Sequence, residues 1–338
     1  GLAKEGRQHI VAADLSTGKA KVIGDGEAVA CSWATDSSCT TLVYNGASLV
    51  SPDELYSLDL KTGATKQLTH FNRSYINSRT YNIAEEVEFK NAQQKLMGWL
   101  VKPPNFSSKK KYPFILNIHG GPRCQYGHTF YHEMYVLAQA GYVVMYTNPR
   151  GSQGYGKRFA KAIKGKWAEP AMSDLMAAVD HAISMGYVDK NRLGVTGGSY
   201  GGYMTNWIVT HTDRFKAAVT QRSVSDLSSM FGNSDIGWDI VWEFGGAPWE
   251  NRSAYLKWSP MTYIENCTTP LLIIHSEFDL RCNIEQGDQI FTALKYLKRD
   301  VEYVRFPEEP HGLSRHGRPD RREARLKFIV DWFDKYLI

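Results

Sequence analysis

No apolar run in the 338-residue sequence is long enough to cross a bilayer, and its first residues carry no signal-peptide pattern, so a soluble, cytoplasmic protein is expected. Cysteine is scarce. Cys31, Cys39, Cys124, Cys267 and Cys282 are odd in number and fit no zinc spacing, which points to free thiols in a reducing compartment rather than a disulfide framework. No cluster of His, Cys or carboxylates has metal-ligand spacing, and no cofactor is implied. A strong charge of either sign is also missing, the formal net charge being +5. The basic stretch Lys109-Lys110-Lys111 reads as a solvated loop, and the run from Arg315 to Lys327 has Asp320 and Glu323 interleaved. Without a stacking platform or recognition motif, nucleic acid is not an expected partner.

Apolar residues are plentiful at 43%, with 12% aromatic, enough for a sizeable core in one large domain or two. The first eighty residues have a texture of their own, with short alternating strands rich in Ser, Thr and Gly. Asp14-Leu15-Ser16-Thr17-Gly18-Lys19-Ala20-Lys21 returns as Asp59-Leu60-Lys61-Thr62-Gly63-Ala64-Thr65-Lys66, an offset that suits a β-propeller blade. Each copy predicts a hairpin across a Thr-Gly turn: Ile10–Leu15 with Ala20–Ile23, and Leu55–Leu60 with Thr65–Leu68. Ala30–Trp33 and Thr41–Tyr44 supply another pair. Residues 1–80 are therefore expected to hold one or two blades, too few to close a propeller.

From residue 81 to 338 strands alternate with helices. Two antiparallel strands (Glu86–Lys90, Leu96–Lys102) precede strands Phe114–His119, Tyr142–Thr147, Ala217–Gln221, Leu271–His275 and Val301–Phe306. Helices are predicted around Tyr131–Gln139, along Met172, Leu175, Met176, Val179 and Ile183, over Ile284–Leu297, and at the C-terminus. A Trp-rich insertion up to Pro260 reads as irregular. The rhythm implies an α/β class with a mostly parallel sheet covered on both faces and active residues at the carboxyl ends of strands.

The organising stretch is Leu193 to Gly202. Gly197-Gly198-Ser199-Tyr200-Gly201 fits G-x-S-x-G between a β-branched strand and a helix carrying Tyr203, Met204, Trp207 and Ile208. A serine on so sharp a turn is lifted clear of the sheet, and the Tyr200 amide stands at a helix N-terminus where it can stabilise an oxyanion. Ser199 needs a base, and the base an anion to fix its tautomer. In the chain order of this fold Asp279 supplies the acid and His311 the base, each after a strand. Asp226 and Glu277 are rival acids and His316 a rival base. The second oxyanion donor is expected from His119-Gly120-Gly121-Pro122, with Gly121 as donor and His119 structural.

These residues, together with Asn148-Pro149-Arg150-Gly151-Ser152 and Gly245-Gly246-Ala247-Pro248-Trp249-Glu250, make the chain from about Tyr81 onward resemble the prolyl oligopeptidase clan of serine peptidases, and within it the acylaminoacyl-peptidase branch. The resemblance implies an α/β-hydrolase fold behind a propeller, oligopeptide substrates often blocked at the N-terminus, and esterase activity on activated esters. It also implies that Arg281 binds substrate, although the branch usually follows that Arg with Val-Pro or Thr-Pro where this chain has Cys282-Asn283; a surface arginine paired with a carboxylate is the other reading. A carboxylesterase on the same machinery and a non-catalytic binding scaffold are the alternatives. Incomplete blades would pair with a separate propeller fragment or with another copy of the chain. Phe231, Trp238, Trp242 and Phe244 read either as core or as the wall of a specificity pocket.

Overall fold

The computed structural model describes residues 1–23 and 29–338; the side chain of Cys31 lies outside the described residues. Strands β1 (Leu2–Lys4), β2 (Arg7–Ala13) and β3 (Ala20–Ile23) make a three-stranded antiparallel sheet. A four-stranded antiparallel meander follows, from β4 (Val29–Thr35), β5 (Thr41–Ser48), β6 (Ser51–Asp59) and β7 (Thr65–Gln67). The sequence repeat is one turn used twice. Asp14 Oδ1 accepts the N–H groups of Ser16 and Thr17, and Asp59 Oδ1 those of Lys61 and Thr62. Gly18 and Gly63 then donate 2.8 Å bonds to the Asp14 and Asp59 carbonyls. The aspartate satisfies amides that a tight turn would otherwise strand, so its spacing to Thr-Gly is fixed by hydrogen bonding. Ile10 of β2 meets Leu42, Tyr44 and Leu58 of the meander in a small shared core.

The rest is built on one eight-stranded sheet. Its strands are β8 (Glu85–Asn91), β9 (Gln94–Val101), β10 (Tyr112–Ile118), β11 (Val143–Thr147), β12 (Val188–Gly198), β13 (Ala217–Gln221), β14 (Leu271–Ser276) and β15 (Val301–Phe306), in the order β15-β14-β13-β12-β10-β11-β9-β8. From β10 onward neighbours run parallel, and β8 and β9 are antiparallel additions. Strands β11, β13 and β14 are buried along their whole length, as expected of parallel strands covered on both faces. Alternation divides β10: Phe114, Leu116 and Ile118 face the helices Glu169–Ser184 and Tyr200–Val209, while Ile115 faces His132–Gln139 and Pro319–Leu337. This is an α/β-hydrolase fold. No helix among the described residues is long and apolar enough to cross a membrane.

The structure departs from the sequence expectation at β1, in the insertion before Pro260, and in the short helices Arg73–Asn77, Lys157–Ala160 and Leu313–His316. Strand β1 was not foreseen, being too short to display alternation. The insertion before Pro260 is helical rather than irregular, with helices Leu227–Asn233, Ile240–Phe244 and Arg252–Trp258. Helices of one or two turns cannot display a 3.6-residue period. Asp226 caps the first of them, accepting the Ser229 N–H at 2.7 Å.

The N-terminal sheets dock through backbone as well as through the side chains of Gln125, Tyr81 and Tyr135, which bond Gly6, Arg7, Val50 and Leu49. The His128 N–H bonds the Gly6 carbonyl at 2.9 Å, the Glu5 N–H bonds the Gly154 carbonyl at 3.1 Å, and a Cβ on Gly127 would fall 1.9 Å from Gly6 O.

Beneath the sheet's active edge, a Cβ on Gly201 would stand 2.0 Å from the Ile118 carbonyl oxygen, so the helix can cross β10 only without a side chain there. Gly201→Ala is expected to cost about 3 kcal/mol or more. Gly232, where an added methyl would have no neighbour within 4 Å, should accept Ala with little loss. Thermal unfolding midpoints check the pair, and equal midpoints would contradict the close crossing.

Candidate active site

Strand β12 ends at Gly198 and the helix Tyr200–Val209 begins at once, leaving Ser199 between them at φ 61°, ψ −124°. Such a conformation costs on the order of 1–3 kcal/mol and persists only where its surroundings enforce it. Here they do. The Ser199 N–H is shared between the carbonyls of Gln221 (3.0 Å) and Arg222 (3.1 Å), and its carbonyl takes the Tyr203 N–H at 2.9 Å. A Cβ on Gly197 would sit 2.6 Å from the Gly201 carbonyl carbon, so the motif's outer glycines are a packing requirement. The Tyr200 amide is among the first of the helix, where no intrahelical acceptor exists.

Across from it lies the loop after β10. His119 is buried, and burial lowers its pKa to about 4, so the ring is neutral. Its Nδ1–H donates to the Gly120 carbonyl at 2.7 Å, and Nε2 lies 2.8 Å from the Ser152 hydroxyl, which is also within 2.7 Å of the Pro149 carbonyl. The ring ties this loop to the one after β11 and faces away from proton-transfer work. A Cβ on Gly120 would be 3.2 Å from Ser199 Cβ, which shows how near the loop backbone runs to the serine, and Gly121 follows at φ +120°. The second loop is fixed by Arg150, whose Nη2 and Nε reach the fully buried Asp174 at 2.7 and 2.8 Å.

Asp279 and His311, separated by a strand and a helix in sequence, meet at 2.7 Å between Oδ2 and Nδ1. Asp279 is fully buried. Its Oδ1 accepts backbone N–H groups from Arg281 (3.0 Å) and Cys282 (2.8 Å). Burial alone would raise its pKa, but the nearby His275, 3.6 Å away, and the His311 hydrogen bond outweigh that and hold it well below the usual carboxylate range. For His311 the balance falls the other way. Burial lowers the imidazole pKa more than the Asp279 hydrogen bond raises it.

The rival residues are occupied elsewhere. Asp226 caps its helix, Glu277 lies 3.4 Å from Arg305, and His316 packs back against Gly312.

Ser199, Tyr200, Gly121 and His311 line one cleft of about 580 Å³. Val224, Met230, Ile236 and Ile240 form an aliphatic wall of it, Trp167 and Tyr200 line it as well, and the buried Glu243 pairs there with the partly exposed Arg123. The aromatic residues considered in the sequence are not this wall. Phe244 is core, Phe231 packs against Trp249, Trp238 is exposed, and Trp242 lies under Arg123 and Lys164. Arg281 borders the cleft with its guanidinium held by Asp235 at 2.6 and 3.2 Å. Cys282 also lines the cleft beside Ser199. Burial and the Asp279 charge push its thiol far above the ordinary value, and the Ser199 hydroxyl counteracts them only in part, so it stays protonated and is no thiolate nucleophile. Sequence reasoning missed the site's Arg123–Glu243 pair, Arg222 and Arg315; only Arg222, directly after a strand, stood where a signal existed. Among the described residues no group of three His, Cys, Asp or Glu side chains could hold a metal ion.

Residues 128–338 match the sequence profile of the prolyl oligopeptidase family. The chain belongs to that family. This member of the prolyl oligopeptidase family is 48% identical over 297 residues to the uncharacterized peptidase YuxL of Bacillus subtilis, covering 86% of this chain and 45% of that protein. It is 30% identical over 307 residues to dipeptidyl-peptidase 5 of Porphyromonas endodontalis, covering 88% and 44%. Among solved structures it is similar to the acylaminoacyl peptidase of Pyrococcus horikoshii, with a TM-score of 0.91, 33% identity, and coverage of 99% of this chain and 53% of that one. The chain spans about half the length of the curated relatives it matches.

Proposed function

We propose that the chain is a serine peptidase acting on oligopeptides, including those with an acylated N-terminus, through an acyl-enzyme on Ser199. The observation that carries this reading is the 2.7 Å Asp279–His311 pair at the same cleft as a serine in strained backbone geometry. In the proposed cycle His311 takes the Ser199 proton and returns it to the leaving amine, while Asp279 keeps Nδ1 protonated and the ring oriented. The Tyr200 and Gly121 amides hold the oxyanion. Arg281 flanks the substrate path. The aliphatic wall receives an apolar side chain of the acyl half. Named relatives that are peptidases support the substrate class. We further infer that the two N-terminal sheets are propeller blades, whose open edges pair with further blades or with a second copy. The free thiols Cys39, Cys124, Cys267 and Cys282 support residence in the cytoplasm.

The test is turnover of an N-acylated peptide beside the nitrophenyl ester of the same acyl group, with fluorophosphonate labelling alongside. Hydrolysis of both supports the peptidase; ester hydrolysis alone would make the chain a carboxylesterase, and an unlabelled protein would be a binding scaffold.

A pH profile follows from the charge balance at His311. Only the neutral ring accepts a proton, and its pKa lies below the ordinary 6.5. kcat/KM is therefore expected to rise with pH through one ionisation centred below that value and to be level near pH 7. A midpoint above 7 would contradict the balance described.

A further inference from the structure

Two guanidinium groups on the cleft that holds Ser199 have no ion-pair partner among the described residues. Arg222 follows β13 with its backbone at φ 39°, and a Cβ on Gly198 would stand 2.6 Å from its Cζ, so its head group lies against the elbow itself. Arg315 sits in the short helix Leu313–His316 just past His311. Both line the cleft. The other two cleft arginines are neutralised, Arg123 by Glu243 and Arg281 by Asp235. Among the described residues neither Arg222 nor Arg315 has a carboxylate within ion-pair distance, and Arg222 Nε is buried without a hydrogen-bond partner. Glu133, whose charge reaches Arg222, is already bonded to Arg325 at 2.6 Å and to Asn117 at 2.8 Å. Burial, then the like charges of Arg325 and Arg315, pull the Arg222 pKa down to about 10 against the smaller opposing effect of Glu133, so it remains a cation at neutral pH. An anion entering here would gain attraction from both groups and satisfy a stranded donor.

We propose that Arg222 and Arg315 form a subsite for a carboxylate on the leaving-group side of the scissile bond. This rests on the serine-peptidase reading above. His311 delivers its proton to the departing amine, so the departing half passes His311, and Arg315 lies next along that same loop. The acyl half takes the aliphatic wall. The favoured substrates are peptides whose leaving part carries a carboxylate close to the cleaved bond, either the free C-terminus of a one- or two-residue leaving group or an acidic side chain.

The experiment compares kcat/KM of the 338-residue chain on N-acylated peptides that share an acyl half. Their leaving parts end in a free acid, in the corresponding amide, or in an amide preceded by Asp. The nitrophenyl ester of that acyl half and phosphonate labelling run in parallel. The free acid is expected to exceed the amide by about 10- to 100-fold, and the ratio to fall toward one in Arg222→Gln and Arg315→Gln. Recovery of the preference by the Asp-containing amide assigns the subsite to side chains, and no recovery assigns it to the C-terminus. Equal rates on acid and amide, or a preference that survives both substitutions, overturn the proposal. The ratio is taken within one enzyme, so a variant with lowered turnover still reports, and the wild-type comparison needs no variant. Ester turnover without acid preference sinks this inference alone. Failure of ester, peptide and label together sinks the peptidase reading and this subsite with it.

Discussion

Ser199→Ala is expected to lower turnover by about 10⁶-fold, the scale on which serine triads lose activity when the nucleophile goes, and to abolish phosphonate labelling. The fold should survive. The substitution removes one hydroxyl and keeps the Cβ, and the N–H shared between Gln221 and Arg222 and the carbonyl bonded to Tyr203 belong to the backbone. The positive φ is no worse for alanine than for serine. A thermal midpoint close to that of the unsubstituted chain, with labelling lost, is the expected pair of results. Labelling at the original rate would mean that another serine reacts.

Asp279→Asn should cost about 10⁴-fold in kcat through the tautomer it imposes. The acid's two oxygens have separate duties. Oδ1 accepts two backbone amides, from Arg281 and Cys282, and Oδ2 faces His311 Nδ1. An asparagine in that seat keeps its carbonyl toward the amides, since turning it would set two N–H groups against its own NH₂. The NH₂ then points at Nδ1, which must accept. The remaining ring proton moves to Nε2, the nitrogen that has to take the Ser199 proton, and the base is disabled. The parallel variant Asp226→Asn leaves a residue that still caps a helix and should change kcat less than tenfold. Steady-state kinetics on one ester substrate separates the two. A mild effect at 279 with a severe one at 226 would move the acid to the loop after β13.

The sequence made the main sheet legible through its apolar runs: β13, buried along its whole length, and β15, buried only at its ends, both fall on the predicted residues. The elbow was legible for a different reason. Its glycines answer to backbone atoms a few ångströms away, and that kind of constraint leaves a fixed spacing in the chain. The repeated Asp-to-Thr-Gly turn is local hydrogen bonding and could be read for the same reason. Asp279 and His311, named from chain order, do meet, and what escaped was packing that leaves no order or spacing in the chain. The helices between Leu227 and Trp258 are too short to show a period. Whether the insertion's aromatics are core or pocket wall could not be read from spacing, and tertiary packing sends Phe244 to the core and Trp238 to the surface. Arg222 and Arg315 look like ordinary surface arginines in sequence, and only the folded chain reveals that no acid accompanies them.

The meeting of Gly6 with Gly127 has a mechanical meaning. Main chain presses on main chain here, stitched by His128 and Glu5 and braced by the Gln125 side chain, which accepts the Gly6 N–H and donates to the Arg7 carbonyl. Such a joint transmits displacement without much give. Any swing of the N-terminal sheets away from the main sheet must either turn about this point or tear it. Since it lies in the same loop as Gly121, a swing of those sheets would also displace the backbone that lines the cleft there.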